Sequence, residues 1–421
     1  MAAHRWAATA ALAAAAALLV AGCSGKPVEV VETRPAMDTE VMVRVVARNE
    51  ATARRALGLA WAEMDLCAAK LDRYRKPSDA WLSQDPAVRG PARRDPAQAP
   101  SDVWRINREA GQWNVEVDPL VTSCLTAAKE AWELSGGAFD PTVGPLVDLW
   151  RQAAARGTPP TDEEIEKARA RVGMDKIEML VAKVQKPAEE LPLVPPSAPP
   201  PGPDELSRMV QSVGLPAGMS LDLGGIAKGY IAGRMARRME QAGATAGLVA
   251  AAGDVYAFGE RPPSVAGKGG DPRWGVGVQD PRYPEDRARL YTAIHVSDQG
   301  VDTSGHYYRG YTIGGKRFSH IMDPRTGRPV DTRLASITVV ADDPALSDAL
   351  ATAIAVLGAR DGLALVEKTE GVECLLLEWT PGPGEEPQAS GAPPPAAALT
   401  AHRSKGFAAL EFKPSGADVA R

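Results

Sequence analysis

The sequence predicts an α+β fold. Strand-like and helix-like stretches alternate along the 421 residues without the regular spacing of βαβ units. No Gly-x-Gly-x-x-Gly fingerprint follows a strand, so a doubly wound dinucleotide-binding sheet is unsupported. A hydrophobic fraction of 44% supports a substantial core. The length admits one large domain or two. With a formal net charge of −5, no nucleic-acid partner is expected.

At the start, His4 and Arg5 precede an Ala/Leu/Val run over residues 7–22. The run is short for a membrane span, which needs about 20 apolar residues, and reads as an export signal. It ends Leu19-Val20-Ala21-Gly22-Cys23, which resembles the bacterial lipoprotein cleavage box. Cys23 would become the lipidated first residue, holding the protein to a membrane without spanning it. Ser24 brings no inner-membrane retention signal of the Asp type. The other cysteines, Cys67, Cys124 and Cys374, are widely spaced and show no metal-knuckle pattern, so they read as packing residues.

The expected organisation is a signal over residues 1–22, a tether over 23–35, one domain over 36–412 and a disordered tail over 413–421. Strands are expected at 40–47, 248–251, 274–278, 318–322, 371–378 and 406–412, and another carrying Asp222. Helices are expected at 51–69, at 117–135, and from the Gly224-Gly225 turn through Met239. Thr161 with Glu164 forms a capping box that starts a short helix. Gly314-Gly315 reads as a hairpin turn. Residues 77–100, 187–203 and 380–395 are rich in proline and read as inserted surface segments.

The chemistry concentrates late in the chain. Asp343-Pro344 is a helix start, with Asp as N-cap and Pro in the first turn, and Gly358 is a stop. Leu346, Leu350, Ile354 and Leu357 form one apolar stripe. Asp348 and Thr352, four residues apart, share a face with small apolar neighbours, Ala345, Ala349, Ala355 and Val356 nearby. A helix apolar all round is buried, and a buried Asp must be paired, hydrogen-bonded or metal-bound. Asp348 and Thr352 together offer only oxygen, which suits Mg2+ or Ca2+. A capping or ion-paired Asp348 beside a packing Thr352 is the alternative. Of five histidines, only His320 is bracketed by Ser319, Asp323, Arg325 and Thr326. It sits at a turn rich in donors for phosphate oxygens. Lys228, beside Gly224 and Gly225 at a helix start, makes an anion site, or the glycines form a purely structural turn.

His320-Ile321-Met322-Asp323-Pro324-Arg325-Thr326-Gly327 resembles a signature of the ApbE family, the FAD:protein FMN transferases. Asp348-Ala349-Leu350-Ala351-Thr352-Ala353 is similar to that family's metal segment. Further stretches match in order: Leu71-Asp72-Arg73-Tyr74, Ser101 with Asn107, Gly137-Ala138-Phe139-Asp140-Pro141-Thr142-Val143-Gly144, Asp222-Leu223-Gly224-Gly225-Ile226-Ala227-Lys228-Gly229, Gly253-Asp254 and Thr303-Ser304-Gly305. The resemblance runs in pieces over about 37–407. Asp38 stands where the family has Gly.

The resemblance implies a compact two-lobed, T-fold-related body with FAD in the cleft between lobes. It implies Mg2+ held by Asp348, Thr352 and the Gly225 carbonyl. Flavin nucleotide contacts fall on Met37, Tyr74, Ala138, Phe139, Asp140, Asp222, Lys228, His320 and Ile321. Lys228 and Asp348 would neutralise phosphate charge, and His320 would be the general base, a task suited to imidazole. The implied activity moves FMN from FAD to a threonine hydroxyl of a flavoprotein subunit in a membrane redox complex, with AMP released. Hydrolysis of FAD to FMN and AMP, and flavin binding without turnover, are the alternatives. With Cys23 lipidated, the enzyme would face the periplasm from a bacterial membrane.

Overall fold

The computed structural model describes residues 26–77, 99–185, 207–305, 310–380 and 398–413. The leader, Cys23, the tail beyond 413 and nearly all of the three proline-rich segments lie outside these residues.

An eight-stranded antiparallel sheet organises the molecule, its strands in chain order across the sheet: β1 (Val28–Ala36), β2 (Thr39–Ala47), β3 (Ala244–Ala251), β4 (Asp254–Phe258), β5 (Gln299–Ser304), β6 (Leu334–Ala341), β7 (Val372–Thr380) and β8 (Ala398–Arg403). Successive side chains of a strand point to opposite faces, and both faces here are apolar. Val43, Val45, Val249, Val339 and Leu376 point to one face. Three helices cover it, α1 (Glu50–Leu71), α3 (Ala227–Gln241) and α4 (Pro344–Val366), and α2 (Pro119–Leu134) packs on α4 behind them. Val46, Leu248, Val301, Val340 and Leu375 point to the other. There a three-stranded sheet of Trp274–Gln279, Leu290–Val296 and Glu411–Phe412 lies over them, with Trp274, Ile294 and Phe407 fully buried. A separate apolar cluster forms apart from these two. Trp150 and Leu146 pack on Ile165, Ile313 and Met322, and Trp150 Nε1 donates to the Gly327 carbonyl at 3.0 Å. The α+β expectation holds.

Local chemistry explains the helices. Asn49 caps α1, accepting from Thr52 N at 2.9 Å, and Ala53, Ala56, Leu57, Ala60, Trp61 and Met64 form its buried face. Glu63 on α1 meets Arg234 and Arg238, one turn apart on α3, at 2.6 and 2.7 Å. The capping box at Thr161 and Glu164 is present on both sides. Asp343 caps α4 by accepting from Ala345 N at 2.8 Å. Gly358, at φ 80° and ψ 175°, ends its straight part, and a second segment runs on to Val366. Helix α4 is long and apolar enough to span a membrane by composition. Here it is the core helix, with Ala349, Leu350, Ala353 and Ile354 without exposure.

Several expectations are corrected. Residues 28–35, read as tether, belong to β1, paired with β2 from Val28↔Ala47 to Ala36↔Thr39. Glu29 on one face and Glu32 and Arg34 on the other interrupt the alternation. Met37 and Asp38, at φ 51° and 58°, make the two-residue left-handed turn that joins the strands. Asp tolerates that conformation where Gly would be the default. Asp222 lies on no strand. Its segment is joined by one parallel bridge, Val143↔Ser220, and by Asp222 N donating to Pro141 O at 2.7 Å. The stretch 117–135 splits into the strand Val115–Val117 and α2, because Asp118 caps the helix with Pro119 behind it. The strand expected over 318–322 breaks at His320, between Lys316–Ser319 and Met322–Asp323. The final strand shrinks to Glu411–Phe412 after a 3-10 turn at Phe407–Ala409.

Cys67, Cys124 and Cys374 are free thiols and buried. Burial pushes the Cys67 and Cys374 thiols up to about 12 and raises Cys124 as well. In the native protein none of these three should react with Ellman's reagent at about pH 8, since thiolate is the reactive form. Urea should expose them together. A fast native reaction at any of the three would show that its element opens.

Candidate functional site

The site forms where the N terminus of α3 meets α4 and the strands β4 and β5. Gly229 lets the two helices approach closely: a Cβ there would lie 1.9 Å from Pro344 O and 2.9 Å from Asp348 Cβ. Its N–H donates to Asp348 Oδ2 at 3.1 Å. Lys228 Nζ, one residue earlier, contacts Asp254 Oδ2 and stands 3.7 Å from Asp348 Oδ1.

Asp302 completes the group. It faces Asp254 in register across β4 and β5. One carboxylate oxygen each from Asp254, Asp302 and Asp348 lies within 4.8 Å of the others, and all three residues are buried. Ser347 Oγ donates to Asp302 Oδ2. Asp302 Oδ1 is buried without a hydrogen-bond partner. Like charges placed opposite one another across strands are unfavourable, and burial adds to the cost.

The electrostatics follow. Burial, with the charge of Asp348, pushes Asp254 up to about 6 against the pull of Lys228. Burial and the Asp254 and Asp348 charges drive Asp302 well above the usual carboxylate range. Burial alone would lower Lys228, but the Asp254 and Asp348 carboxylates outweigh it and raise it. With all three carboxylates ionised, as cation binding would require, one ammonium leaves two negative charges in a buried space. An all-oxygen donor set with that charge, including an orphaned Asp302 oxygen, fits a hard divalent cation.

Of the residues named from the sequence, Lys228 and Asp348 are brought together here. Thr352 joins Gly225: a Cβ on Gly225 would lie 2.9 Å from Thr352 Oγ1 and 3.4 Å from the Phe139 ring. Ala138 and Phe139 are buried in the main core. Asp140 is buried and clasps the fold, Oδ1 accepting from Thr142 N at 2.8 Å and Thr142 Oγ1 at 2.5 Å, and Oδ2 from Met174 N at 3.2 Å.

A second group gathers around Arg73. Its guanidinium spans Asp222 Oδ2 and Asp148 Oδ2, each at 2.7 Å. Asp222 Oδ1 also accepts from Gly224 N at 3.0 Å. Tyr74, 54% exposed, has the Arg73 and Arg151 guanidiniums each 5.2 Å from its ring centroid. Met37 packs part-buried against the main core. His320 is half-buried at its bend, and Ile321 is buried, its carbonyl accepting from Val330 N at 2.9 Å. Arg325 ties this loop to α4, donating to Val356 O and Asp323 Oδ2 at 3.0 Å each.

Asp302 and Ser347 carried no role in the sequence reading, and Asp254 only a place in a matching stretch. Their signal is the strand register, which pairs Asp302 with Asp254 and is not written locally.

The chain resembles known proteins in sequence and in fold. The profile of the ApbE family matches residues 37–376. The FAD:protein FMN transferase of Treponema pallidum (strain Nichols) is 31% identical over 280 residues, 65% of this chain and 69% of that one. That of Vibrio cholerae serotype O1 is 27% identical over 377 residues, 88% of this chain and 94% of its own. The apo flavinyl transferase ApbE of Pseudomonas stutzeri superposes with a TM-score of 0.63 at 23% identity, covering 91% of this chain and 97% of its own. The ApbE protein of Thermotoga maritima gives 0.62 at 26% identity, covering 92% and 100%.

Proposed function

The chain belongs to the ApbE family, and on that premise we propose that it transfers FMN from FAD to a threonine hydroxyl of a target flavoprotein, with Mg2+ and release of AMP. The observation that carries the reading is the buried group of Asp254, Asp302 and Asp348 with Lys228 at the start of α3.

Such transfer depends on positioning and charge neutralisation more than on covalent chemistry. The hydroxyl oxygen forms a bond to the FMN-side phosphorus, the bond to the AMP oxygen breaks, and AMP leaves with the electron pair. Asp348 and Thr352, with the Gly225 carbonyl, would hold Mg2+, which supplies Lewis-acid stabilisation of phosphate oxygens when bound. Lys228 carries its charge whatever the pH near neutrality, because the two carboxylates raise its pKa. It orients the diphosphate. His320 takes the hydroxyl proton. Tyr74, between two guanidiniums, offers an exposed ring to the flavin.

The leader ending at Cys23 supports a lipid-anchored enzyme on a bacterial membrane, facing the periplasm, with an acceptor subunit of a membrane redox complex.

The test incubates the purified protein with FAD, Mg2+ and a threonine-containing acceptor domain. Mass spectrometry should show the acceptor gaining FMN, with AMP in equal amount. AMP without labelling would replace transfer by hydrolysis, and bound FAD with neither product would leave a binding protein. His320→Ala should lower labelling by about 10²-fold or more, the usual worth of a general base, while FAD still binds. Near-normal labelling in that variant would remove His320 from the base role.

A further inference from the structure

We propose that Asp302 is a ligand of the cation site, a third carboxylate beyond Asp348 and the neighbouring Asp254, and that Ser347 positions it. The proposal rests on the cation reading of the site above and adds residues of this chain that the family-derived set of Asp348, Thr352 and Gly225 does not contain.

Three observations carry it. The first is the orphaned oxygen. Asp302 is 1% exposed, and its Oδ1 has no hydrogen-bond partner. A buried carboxylate oxygen left unsatisfied costs several kcal/mol unless a cation or donor reaches it. The second is charge. Asp254, Asp302 and Asp348 lie in mutual ligand range, with Lys228 as the cation beside two of them. With all three ionised, two negative charges remain, which one divalent cation balances. The third is how the strand is held. Ser347 Oγ–H donates to Asp302 Oδ2, which leaves Oδ1 for the cluster. The contact requires β5 to lie hard against α4. Gly300 permits this, since a Cβ there would meet Ser347 Oγ at 2.5 Å and Pro344 Cα at 2.6 Å. A serine, a glycine and the in-register partner Asp254 thus all aim one acid at one point.

A structural acid sharing a proton with Asp254 would fill the same place without a metal, and the experiment separates the two. Mn2+ serves as probe, titrated into the purified full chain without flavin or acceptor, with free Mn2+ read by electron paramagnetic resonance. Asp302→Asn keeps the shape and the Ser347 contact. It should weaken Mn2+ binding about tenfold or more, as loss of one charged ligand does. Its melting temperature without metal should equal or exceed that of the wild type, and the rise produced by Mn2+ should shrink. Wild-type Mn2+ affinity in Asp302→Asn, with affinity lost in Asp348→Asn, overturns the proposal. If Asp302→Asn does not fold, Ser347→Ala decides. It keeps every charge and should weaken Mn2+ about threefold or more by freeing the carboxylate, and unchanged affinity overturns the proposal. Because the readout needs neither FAD nor acceptor, a failed transfer reaction would leave this result standing.

Discussion

Asp348→Ala should abolish FMN transfer, lowering the rate about 10³-fold or more, equivalent to about 4 kcal/mol of transition-state stabilisation. Asp348 is the point where three elements converge: it accepts from Gly229 N at 3.1 Å, faces Lys228 at 3.7 Å and lies in ligand range of Asp254 and Asp302. The fold should survive its removal. Alanine is the best helix former, and the change takes one negative charge out of a cluster that holds three. Acceptor labelling by mass spectrometry, beside a thermal melt, separates the two effects. A rate within tenfold of wild type at an unchanged melting temperature would place the cation elsewhere.

The largest loss of stability is expected from Gly229→Ala. In an exposed helix this exchange would stabilise by about 1 kcal/mol. Here the new methyl would fall 1.9 Å from Pro344 O and 2.7 Å from Pro344 C, both backbone atoms of the first turn of α4. That turn cannot yield as a flexible side chain would, so α3 and α4 must separate. Overpacking of this kind costs about 1–3 kcal/mol, and a clash with fixed backbone falls at the upper end, which outweighs the propensity gain. The urea midpoint should fall with an unchanged slope. Because Asp348 sits one turn along α4, Mn2+ affinity should fall with it. An unchanged midpoint would mean that the helices cross more loosely than the Gly229 contact requires.

What the sequence disclosed and what it withheld divide along physical lines. The start of α4 was legible because Asp343 and Pro344 satisfy its first turn locally, and its break was legible because Gly358 alone there reaches positive φ without strain. The hairpin at Gly314 and Gly315 follows the same logic, at φ 57° and 80°. Asp348 was legible as a charge on an apolar helix. Strand β1 was not, because charge interrupts both of its faces, Glu29 on one and Glu32 and Arg34 on the other, and its partner is chosen by tertiary pairing. Asp302 was not legible either. It is one of 53 acidic residues, and only the register between β4 and β5 sets it opposite Asp254. Lys228 could be named from its motif, but the two acids that raise its pKa come from a strand and a helix far along the chain.

Strand β1 also fixes a distance. With Cys23 lipidated, as proposed, the leash between bilayer and folded body is not the thirteen residues up to 35 but the few that precede Val28. Five residue steps, fully extended, reach at most about 18 Å. That is less than the thickness of a bilayer's hydrocarbon core, about 30 Å. The enzyme would therefore work moored close to the lipid surface, with the start of β1 held within that distance of the headgroups. Lengthening the leash by some twenty flexible residues, which adds roughly 25 Å of average reach, should extend labelling to acceptors whose threonine stands farther from the membrane.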